Sequence, residues 1–130
     1  MDYVPLSQRE EEIAKSIVEA AYRVHRALGP GLLEGVYEVC FCYELTKQGY
    51  HIRQQVVVPV VYDGIVFEEA LRLDVLVEEL VICELKAVEK MEPVYQAQLL
   101  SYLKLTSKRL GFLINFNVPI IKQGIKRMII

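Results

Sequence analysis

The chain has 130 residues, 53% hydrophobic and 25% charged. That is enough apolar mass for one core without disulfide staples, which excludes a disordered chain and points to a single domain over residues 1–130. No apolar run reaches the roughly 18–20 residues of a bilayer span, so no membrane contact is expected. The acidic start MDYVPLSQREEE lacks the regions of a secretory signal, which favours a cytoplasmic location.

Ser7-Gln8-Arg9-Glu10 fits a capping box and predicts that a helix starts there. Ile13, Ile17, Ala20, Val24 and Leu28 recur at steps of three and four and make one apolar stripe, which Gly29-Pro30 ends. His25, near that end, is expected at the surface or in a cap. A second helix is predicted from about Leu33 to Gln48, with Val36, Tyr37, Cys40 and Leu45 inward and Gly49 as its stop. The segment IRQQVVVPVVYDG is rich in β-branched residues and closes on Asp63-Gly64, a strong hairpin turn. Pro59 confines that strand to an edge or a bulge. LRLDVLV and LVICELK read as two more strands joined at Glu78–Leu80. Pro93 opens a third helix, VYQAQLLSYLKL, followed by the strand RLGFLINF, a loop at Asn117–Pro119 and an extended piece at Ile125–Ile130. This order predicts a mixed α/β (α+β) domain built on one central sheet.

Cys40, Cys42 and Cys83 have no Cys-x-x-Cys spacing, and His25 and His51 fall in no ligand pattern. Buried, inert thiols are expected rather than disulfides or a soft-metal site. The net charge of −2 argues against indiscriminate binding of nucleic acid, but the average conceals a split. Residues 1–92 hold 9 Lys and Arg against 17 Asp and Glu; residues 93–130 hold 6 basic residues and no acid. Such asymmetry fits a polyanion-facing side or a solvated rim equally well.

The stretch ICELKAVEK places Glu84 and Lys86 on one face of an otherwise apolar strand. Burying charge is costly unless it is paired or bound to a metal. Asp74 lies on the preceding strand. A three-residue loop, Glu78 to Leu80, pairs Val77 with Val81 and sets Asp74 opposite Glu84. A two-residue loop pairs Asp74 with Cys83 and puts the carboxylates on opposite faces. Facing carboxylates repel by something on the order of a few kcal/mol. A hard cation such as Mg²⁺ relieves this, since it takes one or two carboxylates plus waters, and the Leu85 carbonyl is a further oxygen. Lys86 beside it could orient a water or neutralise charge on a phosphate, which suits phosphodiester hydrolysis. The same residues also fit a solvated sheet face with ordinary ion pairs.

Gln98 and Tyr102 are four apart on the third helix, and GLLEGVY puts Glu34 and Tyr37 on one helical face. With these motifs the chain resembles the GxxExxY family of small prokaryotic proteins, within the PD-(D/E)XK nuclease superfamily. The resemblance runs from about Ile13 to the C-terminus through GLLEGVYE, RLDVLVEELVICELKAVEK, AQLLSYLKL and GFLINFNVP, in order and at matching distances. It implies a restriction-endonuclease-like core, a central mixed β-sheet flanked by helices. It also implies that Asp74 and Glu84 bind the metal, that Lys86 is the motif lysine, and that Glu34 is a further metal or water contact. Gln98 and Tyr102 match a Q-x-x-x-Y element, whereas Tyr95 stands where the family often has histidine. Tyr37 reads as core with its hydroxyl satisfied locally, and Tyr102 fits either core or site.

The expectation is therefore a metal-dependent nuclease acting on nucleic acid, DNA favoured. Asp74, Glu84, Leu85 and Glu34 would surround Mg²⁺ or Mn²⁺, with Lys86 and Gln98 at the attacking water. Tyr102, Lys104, Lys108 and Arg109 would lie along the phosphate backbone. A single site per domain makes a homodimer necessary for cutting both strands. The rival expectation is a catalytically inactive nuclease-fold module that binds nucleic acid or a partner protein.

Overall fold

The computed structural model describes residues 4–130, so the first three residues of the expected domain lie outside the described residues. In chain order the elements are α1 (Gln8–Leu28), α2 (Glu34–Lys47), β1 (Ile52–Tyr62), β2 (Ile65–Val77), β3 (Val81–Lys86), α3 (Pro93–Thr106), β4 (Leu110–Asn115) and β5 (Ile125–Ile129). The capping box forms: Ser7 Oγ accepts the Glu10 amide at 3.0 Å, and the Glu10 carboxylate accepts the Ser7 amide at 2.8 Å.

Three expectations for the first two helices need correction. Leu28 is exposed, because the cap at Gly29, with φ 69°, turns the chain off the core at that point. His25 is buried rather than superficial, and its Nε2 lies 2.7 Å from the Val118 carbonyl oxygen, since the last turn of α1 packs on the loop after β4. On α2 the buried face runs through Tyr37, Phe41 and Leu45, at a spacing of four, which leaves Val36 exposed and Cys40 only half-buried. Tyr37 is core as expected. Its ring stacks on Phe116 with centroids 4.7 Å apart, while its hydroxyl donates to the Gly29 carbonyl at 2.6 Å and accepts the Leu32 amide at 3.1 Å.

The five strands form one sheet in the order β1-β2-β3-β4-β5. Neighbours are antiparallel except β3 and β4, which are parallel and need a crossover; α3 supplies it. Helices α1 and α2 cover one face, packing on Val75, Val77, Cys83, Leu85, Phe112 and Ile114. Leu99 and Leu103 of α3 cover the other, against Leu76, Ile82 and Leu113. This is a mixed α/β fold with a central mixed sheet flanked by helices. No helix among the described residues is long and apolar enough to cross a membrane. The thiols are free, with Cys42 and Cys83 buried; burial pushes Cys42 up to about 12.

Pro59 sits both on an edge strand and at an irregularity, between Val58 and Val60. A second irregularity matters more for function. Val75 and Val77 of β2 pack with α1 and α2, yet Leu71 and Leu73 pack with α3. Regular alternation would keep these four on one face. In β1 the same change separates Ile52 from Val56 and Val58. The register Gln54↔Val75 and Val56↔Leu73 sets Gln55 opposite Asp74, and Gln55 has φ 52°. The two-stranded ribbon therefore turns over at Gln55 and Asp74 without losing register.

Candidate functional site

Glu78, Glu79 and Leu80 form the three-residue connection from β2 to β3, with Glu78 and Glu79 in left-handed backbone at φ 54° and 57°. The ladder that follows pairs Val77 with Val81, Leu76 with Ile82 and Val75 with Cys83. One further step sets Asp74 opposite Glu84. At that step the backbone ladder gives way to side chains. The Asp74 amide donates to Glu84 Oε1 at 3.3 Å, and the Leu85 amide donates to Asp74 Oδ2 at 3.0 Å.

Glu84 is only 6% exposed, whereas Asp74 and Lys86 are half-buried. Burial, then the charge of Asp74 and the hydrogen bond with it, push the Glu84 carboxyl up to about 9. The Lys86 ammonium lies 4.4 Å from the centroid of the Tyr95 ring on α3, a cation–π contact that gives Tyr95 a definite place beside the site. The strand exit is pinned as well. The Phe116 amide donates to the Lys86 carbonyl at 2.9 Å, and the buried Asn115 side chain bonds both the amide (3.1 Å) and the carbonyl (3.0 Å) of Val88.

Glu34 starts α2 on the opposite side and is exposed, but it stands within charge range of Asp74 and Lys86. Desolvation and then Asp74 raise its carboxyl, and Lys86 opposes the rise. From α3, Gln98 Nε2 donates to the Tyr102 hydroxyl at 2.8 Å. Burial raises the Tyr102 phenol, and the charges of Glu84 and Asp74 add to the shift. The Leu85 side chain is buried among α1 and α2, so only its backbone is available to the site. Among the described residues no group of three or more His, Cys, Asp and Glu side chains is placed to hold a metal ion. Glu34 therefore does not complete a three-acid cluster with Asp74 and Glu84. The donor set that does converge is two carboxylates. It suits a hard ion that keeps most of its waters, and it does not suit a closed zinc site.

The basic residues expected along a phosphate backbone have separate fates. Lys104 is exposed on the last turn of α3. Lys108 is half-buried at a groove of about 260 Å³ that Val56, Val58 and Leu73 also line. The Arg109 guanidinium is committed to backbone carbonyls, those of Val4 at 2.7 Å, Pro5 at 3.0 Å and Ile130 at 3.1 Å. Glu38, Gln54 and Gln55 are not among the residues expected at a site: the two adjacent amides in IRQQVVV mark a polar break in an apolar run but not the left-handed backbone at Gln55.

The sequence profile of the PD-(D/E)XK nuclease superfamily matches residues 11–128. No curated protein and no solved structure matches the chain.

Proposed function

The chain belongs to the PD-(D/E)XK nuclease superfamily, and from that premise we propose that it is a metal-dependent nuclease of the GxxExxY branch, hydrolysing phosphodiester bonds of DNA in preference to RNA. The observation that carries the proposal is the crossed bonding of the two acids, Glu84 accepting the Asp74 amide and Asp74 accepting the Leu85 amide, with Lys86 two residues beyond Glu84 on the same strand. Asp74 and Glu84 would hold Mg²⁺ or Mn²⁺, with the Leu85 carbonyl as a further oxygen and Glu34 reached through water. Such an ion, when bound, supplies charge neutralisation and an acidified water. Lys86, steadied by the Tyr95 ring, would orient the nucleophile and offset charge on the phosphate, and Gln98 would brace it. Tyr102, Lys104 and Lys108 would follow the nucleic-acid backbone. One domain over residues 1–130, working in the cytoplasm, has one such site, so cutting both strands would take a homodimer.

The test is calorimetric titration with Mn²⁺ of the wild type and Asp74→Ala, beside cleavage of labelled DNA and RNA with Lys86→Ala as control. Micromolar to millimolar affinity lost in Asp74→Ala, with cleavage lost in Lys86→Ala, is the expected outcome. A wild type indifferent to Mn²⁺ would sink the hydrolytic reading.

A second reading asks only for the fold, and family membership supports it more directly: a nuclease-fold module that binds nucleic acid or a partner protein without cutting. It is favoured by the lack, among the described residues, of a third ligating side chain beside the carboxylate pair. Saturable, salt-dependent DNA binding with no response to divalent ions would establish it.

A further inference from the structure

Two neighbouring carboxamides converge on one acid where the β1–β2 ribbon turns over. Gln54 Nε2 donates to Glu38 Oε2 at 3.1 Å, and Gln55 Nε2 donates to Glu38 Oε1 at 3.0 Å and to Oε2 at 3.1 Å. Successive side chains of a regular strand point to opposite faces, so both could not reach a single carboxylate. The left-handed backbone of Gln55 removes that obstacle. Such a conformation has a steric cost for any residue with a Cβ, and it persists only where surrounding contacts over-determine it. Here the contact is Glu38, one helical turn beyond Glu34 on α2, and Gln55 lies opposite Asp74 by register. Helix, edge strand and Asp74 are thus joined at one level of the fold.

We propose that Glu38, Gln54 and Gln55 are positioning residues that fix the distance between α2 and the Asp74 segment, and so aim the Asp74 carboxylate at the Leu85 amide. The inference rests on reading Asp74 and Glu84 as the cation-binding pair, and adds three residues that touch neither ion nor substrate. Without the clamp β1 is free to relax toward a regular strand at Gln55. Its neighbour Asp74, already opposite Glu84 by register, then loses the turn-over at which its carboxylate takes the Leu85 amide in place of the backbone ladder.

Two variants test this. Gln55→Gly keeps a residue at home in left-handed backbone while removing the carboxamide. Glu38→Ala removes the acceptor from α2 and leaves β1 unaltered. In both, amide exchange at Leu85 is expected to speed up about ten-fold, while Val81 and Cys83 in the regular ladder keep wild-type rates. Mn²⁺ affinity is expected to weaken by about ten-fold or more, as when other supporting contacts of a metal site are cut, and Glu38→Gln to recover part of the loss. Leu85 exchange unchanged in both variants overturns the proposal, as does equal acceleration at Val81 and Cys83, which would mean general loosening. A wild type that takes up no Mn²⁺ overturns the cation reading alone; selective acceleration at Leu85 would still support the clamp.

Discussion

Asp74 and Glu84 hold each other in place: the Asp74 amide donates to the Glu84 carboxylate at 3.3 Å, and the amide following Glu84 donates to Asp74 at 3.0 Å. Each acid is oriented by the other's strand. The two negative groups are therefore brought together by folding itself, and burial with the charge of Asp74 pushes Glu84 up to about 9 from an ordinary value of 4.5.

A pH dependence of stability follows. Because the folded value lies above the unfolded one, the folded state binds more protons between the two, and stability falls as pH rises through that window. In metal-free buffer the urea midpoint is expected to be highest near pH 5 and to decline toward about pH 9. Glu84→Gln should flatten the decline. Denaturation at a series of pH values checks it, and a wild-type curve already flat would contradict the placement of the pair.

Lys86 should separate chemistry from ion binding. Lys86→Ala is expected to lower DNA cleavage about 100-fold or more, as loss of an electrostatic group at a reacting phosphate does. Its Mn²⁺ affinity should stay within a few-fold of wild type, because the ammonium is placed by the Tyr95 ring rather than by the carboxylates. Single-turnover cleavage and metal titration on the same preparation give the two numbers.

Tyr37→Phe tests the joint between the first two helices. The ring keeps its stack on Phe116, but the Gly29 carbonyl and Leu32 amide lose their common partner. A loss of about 1–3 kcal/mol is expected by chemical denaturation. Tyr37→Leu, which also removes the stack, should cost more.

Arg109 and Lys104 are expected to diverge despite their shared charge. Arg109→Ala frees three backbone carbonyls at the two ends of the chain. It should lower thermal stability while leaving the salt dependence of DNA binding unchanged. Lys104→Ala should do the reverse, reducing the slope of log affinity against log salt by about 1. Equal effects in both assays would remove Lys104 from the nucleic-acid face.

Local chemistry was legible where a short-range rule governs it. The Ser7–Glu10 box, the Asp63-Gly64 turn and the proline at the head of α3 each depend on neighbours within a few residues. The loop that decides the Asp74–Glu84 register was legible in its bounds, Glu78 to Leu80, but not in its conformation. It needs two successive left-handed glutamates, Glu78 and Glu79, with no glycine to announce them. The buried state of His25 was hidden for a different reason, since its partner Val118 is 93 residues away. The reversal at Gln55 was hidden too: strand alternation is a rule about regular backbone, and a glutamine gives no warning that it will break the rule.

The ribbon beyond that reversal has a practical corollary. From Gln54 to Leu71 there is no lysine or arginine, while Tyr62 and Phe67 stand exposed at its tip. Trypsin has no cleavage point along the whole projection, whereas chymotrypsin meets two at its most accessible end. A nick there would yield two fragments, one ending with Glu34 and Gln55 aboard and the other beginning before Asp74. Whether they co-purify would report how firmly α1, α2 and β1 together hold the rest of the sheet.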